Sequence, residues 1–229
     1  MGQRLDTAKP VCDADCLEFL DDCSLTRSEE NPCHRASRRG HLECLRYAHE
    51  HGCPWDERVC AFASAGGHLE LLRYAHEAGC PWDEWCCELA SENGRLDCLR
   101  YAHEEGCPWD AKTCKMACIN GHLDCLQYAH NEGCPWGAET CSHASANGRL
   151  DCLRYAHENG CPWDESTCRL SAWLGQLDCL RYAHENGCPW DERTLLEALN
   201  MRRTECVRYA LQNGCLDSFL GGSAGSVSA

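Results

Sequence analysis

The chain has 229 residues, and 36 acidic against 21 basic side chains leave it with a formal net charge of −15. This charge disfavours nucleic acid as a partner, because phosphates repel an acidic surface and the arginines recur singly rather than in a patch. No stretch approaches the roughly 18 uninterrupted apolar residues of a membrane-spanning helix, and the N-terminus lacks the apolar region of a secretory signal. We therefore expect a cytoplasmic protein that binds neither membrane nor nucleic acid.

Cysteine is unusually abundant, with 24 residues, and the chain has eight Trp but only three Phe. Cysteine-rich disulfide scaffolds are typical of short secreted chains. This chain is not short and has no secretory signal, so we expect reduced thiols.

Residues 1–28 are predicted to form an N-terminal segment with a partial capping helix at residues 16–20. The sequence Cys-Leu-Glu-Phe-Leu resembles the second helix of the repeats that follow, with Asp21 where those repeats have histidine. A terminal element of this kind covers the first full repeat of an array.

A repeat of 27 residues occupies residues 29–218. Gly, Tyr and His recur in register with the tripeptide Cys-Pro-Trp, which gives six clear repeats and a degraded C-terminal one, where Arg202 replaces the turn glycine and Leu211 the histidine. The tripeptide begins at Cys53, Cys80, Cys107, Cys134, Cys161 and Cys188.

Each repeat is predicted to contain two helices. Asp56 can cap the start of a first helix of about ten residues, and Gly67 suits the left-handed residue that ends it. Leu69 and Leu72 then begin a second helix with an apolar stripe, and Pro81 prevents its continuation. A pair this small cannot offset the roughly 1–2 kcal/mol per residue lost on ordering its backbone, so neighbouring repeats must stack. The predicted fold class is an all-α solenoid of stacked antiparallel helix pairs.

Residues 219–229 are rich in Gly, Ser and Ala. This composition is typical of a flexible tail, and we predict disorder there.

The repeats resemble ankyrin repeats over about residues 30–215. The similarity lies in Ala-Asn-Gly-Arg-Leu-Asp-Cys-Leu-Arg-Tyr-Ala-His-Glu-Asn-Gly at 146–160 and in Gly-His-Leu-Glu at 40 and 67, which resemble the second half of an ankyrin unit. Ankyrin units have 33 residues. The repeats here are about six residues shorter and have a Gly-Cys-Pro-Trp-Asp connector, so we expect them to lack the β-hairpin finger. Shortened repeats with this connector resemble arrays of large DNA viruses and protists, which implies an intracellular protein, in the host cytoplasm if it is viral.

Histidine and cysteine recur around the connector with a spacing that could suit zinc, which binds imidazole and thiolate. A fourth ligand is difficult to supply, because the remaining recurrent cysteine lies about 7–8 Å further along the second helix. Core packing explains the same columns, since free cysteine behaves as a small apolar residue. We favour packing without a cofactor and keep a structural zinc array as the alternative. Its candidate ligands are His49, Cys53, Cys60, His76, Cys80, Cys87, His103, Cys107, Cys114, His130, Cys134, Cys141, His157, Cys161 and Cys168.

The connector tryptophans have two interpretations. A row of Trp could form an aromatic strip for a partner, because Trp is enriched at binding hot spots. Packing against neighbouring repeats is the stronger interpretation, since the small Ala and Cys positions leave space for a large ring.

The variable positions of the first helices are the predicted recognition surface, although drift on a solvated face would give the same variability. Ile119 and Trp173 are the predicted apolar anchors, accompanied by Glu92, Lys115 and Arg169. No phosphate-binding loop or nucleophile elbow is present, so we predict no enzyme. The predicted function is a monomeric scaffold or adaptor that binds a protein partner along its repeats. A thiol-based redox protein is a weaker alternative.

Overall fold

The computed structural model describes residues 31–215, which form fourteen α-helices joined by short connectors. No residue in this range lies in a β-strand, so the predicted all-α fold class is confirmed. The predicted capping helix at 16–20 and the predicted tail at 219–229 lie outside the described residues.

The N-terminal unit ends at Trp109 and contains three described helix pairs. Its first helices pack side by side, and each second helix packs against the first helix of its own pair. The helices are α1 (Pro32–Arg39), α2 (Leu42–Glu50), α3 (Glu57–Gly66), α4 (Leu69–Glu77), α5 (Glu84–Glu92) and α6 (Leu96–Glu104).

The C-terminal unit begins at Asp110 and contains four described helix pairs with the same arrangement. Its helices are α7 (Ala111–Asn120), α8 (Leu123–Asn131), α9 (Ala138–Ala146), α10 (Leu150–Glu158), α11 (Glu165–Leu174), α12 (Leu177–Glu185), α13 (Glu192–Asn200) and α14 (Thr204–Gln212).

Short-range signals in the sequence determine where the first helices begin and end. The Asp56 carboxylate accepts a hydrogen bond from the Arg58 backbone N–H at 3.1 Å, which satisfies a free donor of the first turn. Gly67 ends α3 with φ 76°, and a Cβ there would lie 2.8 Å from Cδ of Arg95. Both the backbone conformation and the close neighbour therefore require glycine at this position.

The interior is built from one large and several small side chains per repeat. The first helices pack against one another through Ala, Ser and Cys side chains. For example, Ser64 Oγ lies 2.9 Å from Cys86 Sγ of the next first helix. Every second helix except α14 contributes a fully buried leucine at the same position of the repeat, and α4 buries Leu71 as well. The leucines at the shared position are Leu45, Leu72, Leu99, Leu126, Leu153 and Leu180. Because the small side chains allow close approach of the first helices, each leucine is enclosed by neighbouring helices.

The cysteines are mostly part of this interior. Twenty of those within residues 31–215 are free thiols, and all twenty are buried. The expectation of reduced thiols is wrong for Cys44, which is disulfide-bonded. Among the helices of residues 31–215, none is long and apolar enough to cross a membrane.

Candidate functional site

The connector tryptophans take part in an aromatic ladder made of His, Trp and Tyr. Trp163 stacks on His157 with the ring centroids 3.8 Å apart and the planes at 11°. Tyr182, from the following second helix, packs against Trp163 in a T-shaped arrangement, with the ring centroids 6.4 Å apart. Its hydroxyl lies 2.9 Å from Nδ1 of His157, which joins the two repeats by a hydrogen bond.

The same ladder recurs within each unit. In several repeats an arginine also contacts the tyrosine ring. The Arg154 guanidinium, for example, lies 5.3 Å from the centre of the Tyr182 ring. Burial raises the pKa of the Tyr182 hydroxyl. The other complete steps are His49–Trp55–Tyr74, His76–Trp82–Tyr101, His130–Trp136–Tyr155 and His184–Trp190–Tyr209. The packing interpretation of the connector tryptophans is confirmed.

A second periodic contact joins pairs of thiols. Cys141, in the first turn of α9, is hydrogen-bonded to Cys161 of the connector that follows α10. This hydrogen bond, together with burial, raises the pKa of Cys141 far above its ordinary value, and it lowers the pKa of Cys161. Cys161 also donates to the carbonyl oxygen of Gly137 at 3.3 Å. Equivalent pairs are Cys60–Cys80, Cys114–Cys134 and Cys168–Cys188, and further thiol contacts are Cys86–Cys107, Cys87–Cys107 and Cys118–Cys152.

The His/Cys/Cys triples suggested by the sequence spacing are divided among different contacts. In the triple His130, Cys134 and Cys141, the histidine stacks on the connector tryptophan, and the two thiols contact Cys114 and Cys161 respectively. The triples His76, Cys80, Cys87 and His157, Cys161, Cys168 are divided in the same way. Within residues 31–215 no group of three or more His, Cys, Asp or Glu side chains could hold a metal ion.

The predicted recognition residues of the C-terminal unit occur as two pairs. Lys115 and Ile119 on α7, like Arg169 and Trp173 on α11, are separated by four residues and so share a helix face. Trp173 is 39 % exposed, whereas the other three are half-buried. In the N-terminal unit, Glu92 is exposed at the end of α5.

Helix α9 lies between α7 and α11 and contacts both. At the positions that correspond to the two pairs it has Ser142 and Ala146, which are 4 % and 7 % exposed. On this face of the C-terminal unit, the small side chains of α9 therefore lie between two pairs of larger ones. Each pair consists of one cation and one apolar side chain.

Sequence reasoning missed an apolar surface on α13 and α14. Leu196 is 51 % exposed, and in the last repeat it occupies the position that Lys115 and Arg169 occupy in their repeats. Following that column by one more repeat would have found it. The other exposed apolar side chains there are Leu199, Met201 and Leu211.

Comparison with known proteins finds a similarity to ankyrin repeats in part of the chain. Residues 33–76 match the family model described as "Ankyrin repeats (many copies)". Over this segment the chain is similar to ankyrin repeats. No curated protein matches the chain. The crystal structure of the human ASB11 ankyrin repeat domain is similar with a TM-score of 0.60 at 17 % identity, covering 70 % of this chain and 85 % of that one. At this identity the likeness shows the fold alone, an ankyrin-like solenoid as predicted. Ankyrin repeats commonly serve as protein-interaction scaffolds and are typically non-enzymatic.

Proposed function

We propose that the chain is a non-enzymatic scaffold that holds a protein partner on the first helices of its ankyrin-like repeats. The exposure of Trp173 carries this proposal. The connector tryptophans pack inside the ladder, whereas Trp173 lies outside it. At the equivalent position the preceding repeat has the small Ala146. An exposed tryptophan at an otherwise small position is a typical anchor for a partner, because it offers a large contact area.

Charge supports a partner segment with acidic groups beside apolar ones. Lys115 and Arg169 each lie one helical turn from an apolar anchor, in a chain whose net charge is −15. Lys115 forms an ion pair with Glu139 at 3.1 Å, but the Glu139 side chain is exposed. Exposed ion pairs contribute little stability, so a partner carboxylate can replace Glu139 at small cost.

The short repeat supports binding through the helices, and the free thiols support a cytoplasmic location. A 27-residue repeat without a β-hairpin finger leaves the helices as the regular surface that a partner can contact. Twenty of the twenty-one cysteines within residues 31–215 are free and buried, and only Cys44 is disulfide-bonded; this balance supports a reducing compartment such as the cytoplasm.

Affinity capture from a cell lysate with matched variants tests the proposal. We expect the double variant Ile119→Ser, Trp173→Ala to bind the captured partner at least roughly 30-fold more weakly, because a hot-spot residue contributes about 2 kcal/mol or more. Trp85→Ala is the matched control, since Trp85 is also exposed but lies on α5 of the N-terminal unit. A double variant that keeps the wild-type helicity and every captured protein would contradict the proposed surface.

A further inference from the structure

The side of α13 that carries Leu196 and Leu199 is the end face of the last described repeat, where a following repeat would stack. Leu199 is 49 % exposed, although every preceding repeat buries the equivalent side chain completely. Ser145 at this position contacts Ser171 of the next first helix. Leu199 is therefore exposed because the described residues contain no first helix after α13. The equivalent buried residues are Ser37, Ser64, Ser91, Cys118, Ser145 and Ala172.

Leu196 stands at a second position through which a repeat contacts the next one. It is exposed, and it corresponds to Lys115, whose ammonium group pairs with the Glu139 carboxylate on the next first helix at 3.1 Å. The end face therefore has two leucines where earlier repeats contact the repeat that follows. A terminal repeat ordinarily has a polar outer face. Two exposed leucines on such a face favour the binding of a further segment that covers them.

The chain leaves the last repeat in the same way as it leaves the preceding one. Cys215 is fully buried, and its Sγ donates to the Asp191 carbonyl oxygen at 3.1 Å. Cys188 makes the same contact with the carbonyl oxygen of Asp164 at 3.2 Å, and α13 begins at Glu192, in the next turn of chain. The residues that follow Cys215 therefore start from the place that leads, in the preceding repeat, to the next first helix.

The sequence that follows matches the end face in the register of the repeat. Lys115 contacts a residue 24 positions later on the next first helix. The same interval pairs Leu196 with Leu220, so two apolar side chains replace an ion pair. The Ser–Cys contact between first helices spans 22 positions. This interval pairs Leu199 with Gly221, and a glycine leaves room for the larger side chain of Leu199.

We propose that residues 216–221 of this chain cover the end face, with the Leu220 side chain against Leu196. Five extended residues span up to about 16–18 Å, which exceeds the roughly 14 Å length of the nine-residue helix α13. Leu220 can therefore reach the face from Cys215. The predicted flexible tail then begins at residue 222 rather than at residue 219.

The tether and the charge favour this segment over a second copy of the chain. The segment is attached beside the face, so it binds without the loss of translational and rotational freedom that accompanies the association of two separate chains. Two chains with a net charge of −15 each also repel one another. The contact leaves Trp173 and the other residues of the proposed partner surface free.

Hydrogen–deuterium exchange of the full-length chain, read by mass spectrometry, tests the proposal in α13. We expect Leu220→Ser to accelerate exchange of the α13 amides about tenfold or more, because burial of a leucine corresponds to at least this factor in an equilibrium constant. Val227→Ser is the matched control, since it removes an aliphatic side chain beyond the docked residues, and it should leave this exchange unchanged. Equal effects of the two substitutions would overturn the proposal.

The double variant Leu196→Ser, Leu220→Ser shows whether these two side chains contact each other. We expect its α13 amides to exchange no faster than those of the faster single variant, since each substitution removes the same contact. Light scattering should give the mass of a single chain, and the exchange should not depend on protein concentration. Additive acceleration would contradict the pairing, and a dimer whose α13 is protected more strongly at higher concentration would assign the end face to a second copy and overturn the proposal.

Discussion

Replacing Leu180 with alanine should lower the free energy of unfolding by about 2–5 kcal/mol. Leu180 is fully buried and packs among Cys168, Ala172, Ala183 and Ala198. These neighbours are small and lie on helices that already approach closely, so they cannot move into the space that the missing atoms leave. The variant loses both the transfer free energy of the side chain and the contacts around the resulting cavity.

Denaturant unfolding followed by circular dichroism measures this change. Leu211→Ala is the matched control, because it is the same substitution in the same unit at a side chain that is 52 % exposed. We expect the control to change the free energy by less than about 0.5 kcal/mol. Equal effects of the two substitutions would show that Leu180 does not lie in a closed core.

The substitution Trp163→Ala should lower the free energy of unfolding by about 3 kcal/mol. It removes the ring that stacks on His157 and meets the edge of Tyr182. Such aromatic pairs contribute about 0.5–1.5 kcal/mol beyond the burial of their surface. Trp173→Ala provides the comparison within the same unit, and we expect it to leave stability almost unchanged because its ring is outside the ladder.

A double-mutant cycle isolates the stacking contribution. Trp163→Ala and His157→Ala together should cost less than the sum of the two single substitutions, with a coupling free energy of about 0.5–1.5 kcal/mol. Strictly additive effects, or a Trp173→Ala variant as unstable as Trp163→Ala, would contradict the ladder.

The helices could be predicted from the sequence because their signals are local. Asp56 and Gly67 mark the start and end of α3 within the helix itself, and both act there as predicted. The period of 27 residues and the size of a single pair were sufficient to predict stacking. These features depend on neighbours a few residues apart, which a sequence displays directly.

The side-chain contacts of the site could be predicted only in part, because they join residues far apart in the sequence. Packing of the connector tryptophans was predicted, but Tyr182 follows its partner His157 by 25 residues, so only the stacked structure shows the contact. Spacing in the sequence groups each thiol with a near neighbour along the chain, such as Cys134 with Cys141. The structure instead joins Cys141 to Cys161, because an antiparallel helix pair returns the chain to the end where it began.

The solenoid depends on helix pairs that are stable only in contact with their neighbours. The most direct measurement is far-ultraviolet circular dichroism of a peptide spanning residues 138–164, which contains α9 and α10 alone, beside the full-length chain. We predict a largely unfolded peptide and a helical full-length chain, since one pair cannot offset the entropy of ordering its backbone. A peptide that folds by itself into a stable helix pair would contradict the account.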